Sequence, residues 1–146
     1  MEIHWGEIYM KIRKVTDFKV GDRESFSKTV TESDVYLYAA ITGDLAPHHV
    51  NAEYSKKTKF KERIAHGLLI SGIMSSALTK LAAPGAVTLS HELKFLAPVY
   101  FGDTIMAEVE VTQIDLEKRI VYVRTICKNQ RGEMVLDGTA VEKFGK

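Results

Sequence analysis

Cysteine is nearly missing from this chain. Cys127 is the only one in 146 residues, so no internal disulfide and no thiolate metal cluster can form, and it reads as a small apolar residue on a strand. An excess of either charge is missing too. Lys and Arg total 20 against 19 Asp and Glu, a formal net charge of +1, and no basic stripe is interleaved with aromatics. Nothing makes an electrostatic case for nucleic acid. The N-terminal stretch Met1 to Glu7 has neither the basic lead nor the apolar segment of a signal peptide, and no run is long enough to span a bilayer. The expectation is a soluble, cytoplasmic protein without a membrane partner. Repeats, linkers and low-complexity tracts are also missing. With 45% apolar and 27% charged residues, the chain can build one domain with its own core. Residues 17–146 are assigned to that domain, and residues 1–16 to an N-terminal extension whose weak alternation around Trp5, Tyr9 and Ile12 allows an extra strand.

What is present is patterned. A turn-rich lead, Asp17 to Asp22, precedes a short strand near Ser25 to Val30. Thr31, with Asp34 three residues on, forms a variant of the capping box, and Val35, Tyr38 and Ala39 follow at helical spacing. Gly43 should end this helix, since glycine accommodates the left-handed closing conformation. From Gly67 to about Ala83 the apolar residues Leu68, Leu69, Ile70, Ile73, Met74, Ala77, Leu78 and Leu81 recur at helical spacing, and Pro84-Gly85 stops them. So little charge on this helix predicts that it is buried. The remainder alternates with period two in four runs, separated by turns at Gly102-Asp103, Glu117-Lys118 and Asn129 to Gly132. One buried helix followed by an antiparallel meander implies an α+β layer architecture with a curved sheet wrapped around a central helix.

The chemistry gathers after the first helix. In Gly43-Asp44-Leu45-Ala46-Pro47-His48-His49, a carboxylate and an imidazole stand five positions apart around a proline. Pro47 removes a backbone donor and restricts Ala46, so the segment turns and Asp44 and His49 can converge on one point. A carboxylate and an imidazole sharing one water can move its proton, which is hydration and dehydration chemistry. Downstream, Gly67 opens the apolar helix. Unpaired N–H groups and the helix dipole at that end suit an oxygen that gains negative charge, and a glycine lets substrate approach the backbone.

These segments, together with Ala65-His66-Gly67-Leu68-Leu69 and the later Leu93 to Thr104, resemble the MaoC-type (R)-specific enoyl-CoA hydratases of the hot-dog fold. The resemblance runs from about Asp17 to Val141, in order and at family spacing. It implies syn addition of water to a trans-2-enoyl-CoA, giving an (R)-3-hydroxyacyl-CoA, in a homodimer or a multiple of dimers with sites at the subunit interface. Asp44 and His49 match the catalytic pair, Gly67 matches the residue whose N–H binds the thioester oxygen, and Ser75 falls where the family has a serine beside the aspartate. No separate cofactor is implied, because coenzyme A is part of the substrate. Two positions depart from the family pattern: Ala46 stands where Asn is usual, and Asn51 where Asp is usual.

Plainer readings exist for each feature. Asp44 alone could hydrogen-bond its own turn. His48 is expected to point away from His49, as neighbours in an extended segment do. His66 is expected to order the loop before the helix, and His91 to pack on a strand. Ser75 could simply permit close helix packing. The run Lys56 to Arg63 is read either as solvated surface or, through Lys56, Lys57 and Lys59, as a contact for the CoA phosphates. The spacings of His48, His49, His66 and His91 match no zinc pattern, and no metal is expected. Two other functions compete with a hydratase: a hot-dog acyl-CoA thioesterase using a carboxylate and the same helix end, and a non-catalytic acyl-CoA binding subunit that needs no acid/base pair.

Overall fold

The computed structural model describes residues 2–5 and 8–145. Two short strands, β1 (Glu2–Trp5) and β2 (Ile8–Lys11), pair antiparallel as a separate two-stranded sheet. The extension at residues 1–16 thus includes two paired strands, and a 3-10 turn at Val15–Asp17 follows them. The main sheet comprises β3 (Arg23–Thr29), β4 (Ala86–Phe95), β5 (Thr104–Asp115), β6 (Ile120–Lys128) and β7 (Met134–Phe144). Its order is β3-β5-β6-β7-β4, antiparallel throughout.

Between β3 and β4 the chain makes α1 (Glu32–Thr42), the short helices α2 (Pro47–Val50) and α3 (Ala52–Lys56), and the long α4 (Gly67–Ala82). The expected signals set the ends of α1. The Thr31 side chain accepts from the Asp34 N–H, and Asp34 accepts in return from the Thr31 N–H at 2.8 Å. Gly43 closes the helix at φ 77°, in the region that favours glycine.

Helix α4 lies on the sheet and builds the core. Register places Val111 beside Val123, and Val123 beside Ala140, so one face of three strands is a continuous apolar floor. Ile70, Ile73, Met74, Ala77 and Leu81 of α4 are buried in the same core cluster. Losing the fully buried Met74 side chain would cost about 2–5 kcal/mol. One face of α4 stays open instead of being buried all round. Leu68, Gly72, Ser75 and Thr79 are exposed at a helical repeat, and none carries charge. Cys127 is buried in β6, and burial pushes its thiol up to about 12, which leaves it an inert core residue.

The turn before β5 fixes a wall of the site. Buried Asp103 accepts from the Tyr100 N–H at 3.0 Å, Gln130 Nε2 at 2.6 Å and Arg131 Nη1 at 3.1 Å. Burial alone would raise its pKa, but these donors together hold it below the usual carboxylate value. The segment ending in this turn runs beside the residues that lead into α4, where the Val99 carbonyl accepts from the Ala65 N–H at 2.8 Å.

Candidate active site

Pro47 begins α2 at a position where its missing N–H is no loss. The segment is therefore one helical turn, not extended chain, and this corrects the expectation for His48. Successive side chains on a helix diverge by about 100° rather than 180°. The rings of His48 and His49 consequently lie side by side, centroids 4.0 Å apart, and both line one cavity. Ala46 supplies no side-chain cap to α2. Asn51 caps α3, its Oδ1 accepting from the Tyr54 N–H at 2.9 Å, a task an aspartate would perform equally.

His49 is buried. Its Nδ1 is 2.7 Å from the Ile64 carbonyl oxygen. A carbonyl oxygen only accepts, so Nδ1 carries the proton and Nε2 keeps its lone pair. Burial pulls the His49 pKa below its ordinary value, the Ile64 contact opposes this, and His66 and His48 add to the lowering. His49 is thus a neutral imidazole at neutral pH, with a nitrogen ready to accept.

Asp44 lies in the loop between α1 and α2. It is exposed, and one of its oxygens accepts from the Ala46 N–H at 3.3 Å. The turn contact weighed from sequence thus exists, and it leaves the second oxygen free. His66 joins the pair from the other side. It is 2% exposed, its Nε2 donates to the Asp44 carbonyl at 2.9 Å, and its ring stacks on His49 with centroids 3.8 Å apart. The Tyr38 ring of α1 also packs against it, tilted, with centroids 4.7 Å apart. Ligating atoms of Asp44, His49 and His66 all lie within 4.8 Å of one another. From its place before α4 alone, His66 is expected only to order the loop. Its position within the Asp44–His49 pair depends on a backbone carbonyl 22 residues upstream, which leaves no trace in any sequence period.

A cavity of about 410 Å³ holds this cluster. One wall is polar, with Asp44, His48, His49, His66 and Lys59. The other is apolar, with Leu68, Ile70, Phe95, Pro98, Val99 and Val135. Gly67 stands between the walls as the first residue of α4, whose N-cap His66 makes no side-chain cap. The end of α4 therefore presents free N–H groups to the cavity. The Phe95 ring lies directly over Gly67.

The other expected residues separate. Ser75 is exposed two turns along α4 and lines no part of this cavity, so within one chain the fold does not bring it to Asp44. Of the three lysines only Lys59 reaches the cavity. Lys56 pairs with Glu53 at 2.5 Å, and Lys57 is exposed outside the cavity. His91 packs on its strand as expected, with Nε2 2.9 Å from Thr125 Oγ1.

A sheet laid over one long helix, with an Asp/His pair facing that helix's N-terminus, defines a hot-dog acyl-thioester protein. Within that class, the chain belongs to the family described as MaoC like domain, which matches residues 17–130. It is 46% identical over 125 residues to the (R)-specific enoyl-CoA hydratase of Rhodospirillum rubrum, covering 85% of this chain and 86% of that one. It is 39% identical to the 3-hydroxybutyryl-CoA dehydratase of Methylorubrum extorquens, covering 94% and 87%. Among solved structures, the R-hydratase PhaJ1 from Pseudomonas aeruginosa in its unliganded form aligns with a TM-score of 0.83 at 36% identity, covering 91% of this chain and 86% of that one.

Proposed function

We propose that the protein is an (R)-specific enoyl-CoA hydratase that reversibly adds water to a trans-2-enoyl-CoA. The observation that carries this reading is the convergence of His49, with a free Nε2, and Asp44, with a free oxygen, beside the open N-terminus of α4 in one cavity. Water between the two carboxyl and imidazole groups loses a proton to His49 Nε2 as its oxygen bonds to the β-carbon. The alkene electrons move to the thioester oxygen, where the Gly67 N–H stabilises the charge. When the carbonyl re-forms, the α-carbon takes the proton back from the same imidazolium. Both new bonds then form on one face, which is the syn outcome. Asp44 orients the water and balances the transient positive charge on His49. The apolar wall suits an acyl chain, and Lys59 at the rim suits a CoA phosphate. Coenzyme A enters with the substrate, and no other cofactor takes part.

Assembly follows from what one chain leaves uncovered. Among the described residues β4 is an edge strand with no partner on its outer side, and it exposes Val87, Leu89 and Phe95. The uncharged stripe of α4 that carries Leu68 and Ser75 is open as well. Burying each of these large side chains contributes roughly 1–2 kcal/mol. A second copy pairing along β4 covers both surfaces and closes the cavity, so the functional unit is a homodimer or a multiple of it. It would work in the cytoplasm; among the described residues no helix is long and apolar enough to cross a membrane.

Crotonyl-CoA separates the competing readings. Loss of enoyl absorbance without release of free thiol is the expected result. Thiol release would replace the hydratase with a thioesterase. No change across several chain lengths would leave only a binding subunit.

A further inference from the structure

We propose that Asp44, His49 and His66 form a site for a borderline-soft divalent cation such as Zn²⁺, and that the bound ion inhibits the protein by taking the place of the reacting water. The three residues come from three separate segments, yet their ligating atoms fall within 4.8 Å of one another. Each imidazole is already prepared as a ligand. The Ile64 carbonyl fixes the proton of His49 on Nδ1, and the Asp44 carbonyl fixes that of His66 on Nε2, so each ring has one lone pair to offer. Carbonyls that orient ligating histidines in this way are a recurring part of metal sites.

His66 supplies the second, independent observation. It is 2% exposed, and its Nδ1 is buried without any hydrogen-bond partner. A buried lone pair facing no donor is costly, and a cation relieves it. With Zn–N bonds of about 2.0–2.1 Å, tetrahedral donors stand about 3.3 Å apart, so the cluster must contract by about 1.5 Å at most. Exposed Asp44 can supply part of that movement, and the buried His49 and His66 rings, stacked with centroids 3.8 Å apart, must also turn so that their lone pairs converge on one ion. Two imidazoles and one carboxylate leave a fourth position open for water. This donor set favours Zn²⁺, Ni²⁺ or Cu²⁺ over Mg²⁺ and Ca²⁺, which prefer all-oxygen sites.

Inhibition rests on the hydratase reading, but binding does not, so binding is measured without substrate. Zinc chloride is titrated by calorimetry into the metal-free full-length protein. One saturable site per chain is expected, with affinity lowered at least tenfold in both His49→Gln and His66→Gln and kept in His91→Gln. Cobalt(II) added to the unaltered protein should give the intense visible bands of a tetrahedral site, a readout that needs no variant to fold. Zn²⁺ should abolish crotonyl-CoA hydration, and chelation should restore it. Absence of a saturable site, or affinity unchanged in both cluster variants, overturns the site. Site-specific binding with undiminished hydration overturns the inhibition, and absence of hydration without zinc refutes the hydratase reading while leaving the site intact.

Discussion

Replacing Gly67 with valine tests the site at its least ambiguous point. A Cβ at this position would lie 2.8 Å from Cδ1 and Cε1 of Phe95. These are ring atoms of a side chain that is 53% exposed, so the ring can swing aside without moving the backbone. An off-rotamer displacement costs about 0.5–1.5 kcal/mol, and the gain in helix propensity of valine over glycine offsets only about 0.3 kcal/mol of it. Net stability should change by about 1 kcal/mol or less, a melting shift of a few degrees for a chain of this size. Activity should change far more. Blocking an oxyanion donor costs roughly 10²–10³ in kcat, or about 2.7–4 kcal/mol. The assay is crotonyl-CoA hydration per folded protein, paired with thermal melting and with affinity for an unreactive acyl-CoA analogue. Gly67→Ala should fall between valine and the unaltered protein. Adding Phe95→Ala to Gly67→Val should not restore turnover, since the added side chain itself obstructs the donor. Normal turnover in folded Gly67→Val would refute the oxyanion assignment, and full rescue by Phe95→Ala would show that the displaced ring, not the lost donor, was at fault.

Other outcomes follow from the same geometry. His48→Gln should lower kcat by about tenfold or less, because the His48 ring touches His49 but makes no hydrogen bond of its own among the described residues; a loss as large as that of His49→Gln would reassign the base. Hydration should decline on the acid side only below the ordinary histidine pKa of 6.5, because burial lowers that of His49; a pH–rate profile with its acid limb above that value contradicts the neutral-base assignment. Burial lowers the His91 pKa too. Between their folded values and 6.5, both histidines bind more protons unfolded than folded, so their contribution to stability is complete above 6.5 and is lost as pH falls below it; denaturant midpoints in that window should show a smaller loss in His91→Gln. Leu89→Lys on the open edge of β4 should weaken self-association and activity together, as read by sedimentation at assay concentration, and an active monomer would remove the shared-interface account.

Much of this was legible in the residues. The Thr31–Asp34 box, the Gly43 stop and the period-two runs specify their elements through local hydrogen bonding and side-chain alternation, and each stands where those rules place it. Asp44 and His49 were recognisable because Pro47 forces the chain to turn between them. Each misplaced residue has its own physical cause. The sequence predicts extended backbone at His48, but Pro47 starts a helical turn. Ser75 was placed by family spacing, yet the facing of α4 leaves it outside the cavity of its own chain. Lys59 was separated from Lys56 and Lys57 only by where α3 ends. His66 was undervalued because both of its key contacts, a backbone carbonyl and a stacked ring, are set by tertiary packing alone.

The central claim is that Asp44 and His49 act as one unit on a single water. The most direct test is the rate of crotonyl-CoA hydration by Asp44→Asn, His49→Gln and the double variant, each measured per folded protein. Each single change should lower kcat by about 10²-fold or more, and the double change should do little further harm, because residues that act as a unit are strongly non-additive. Near-normal turnover in either single variant, or a double loss equal to the product of two independent ones, would contradict it.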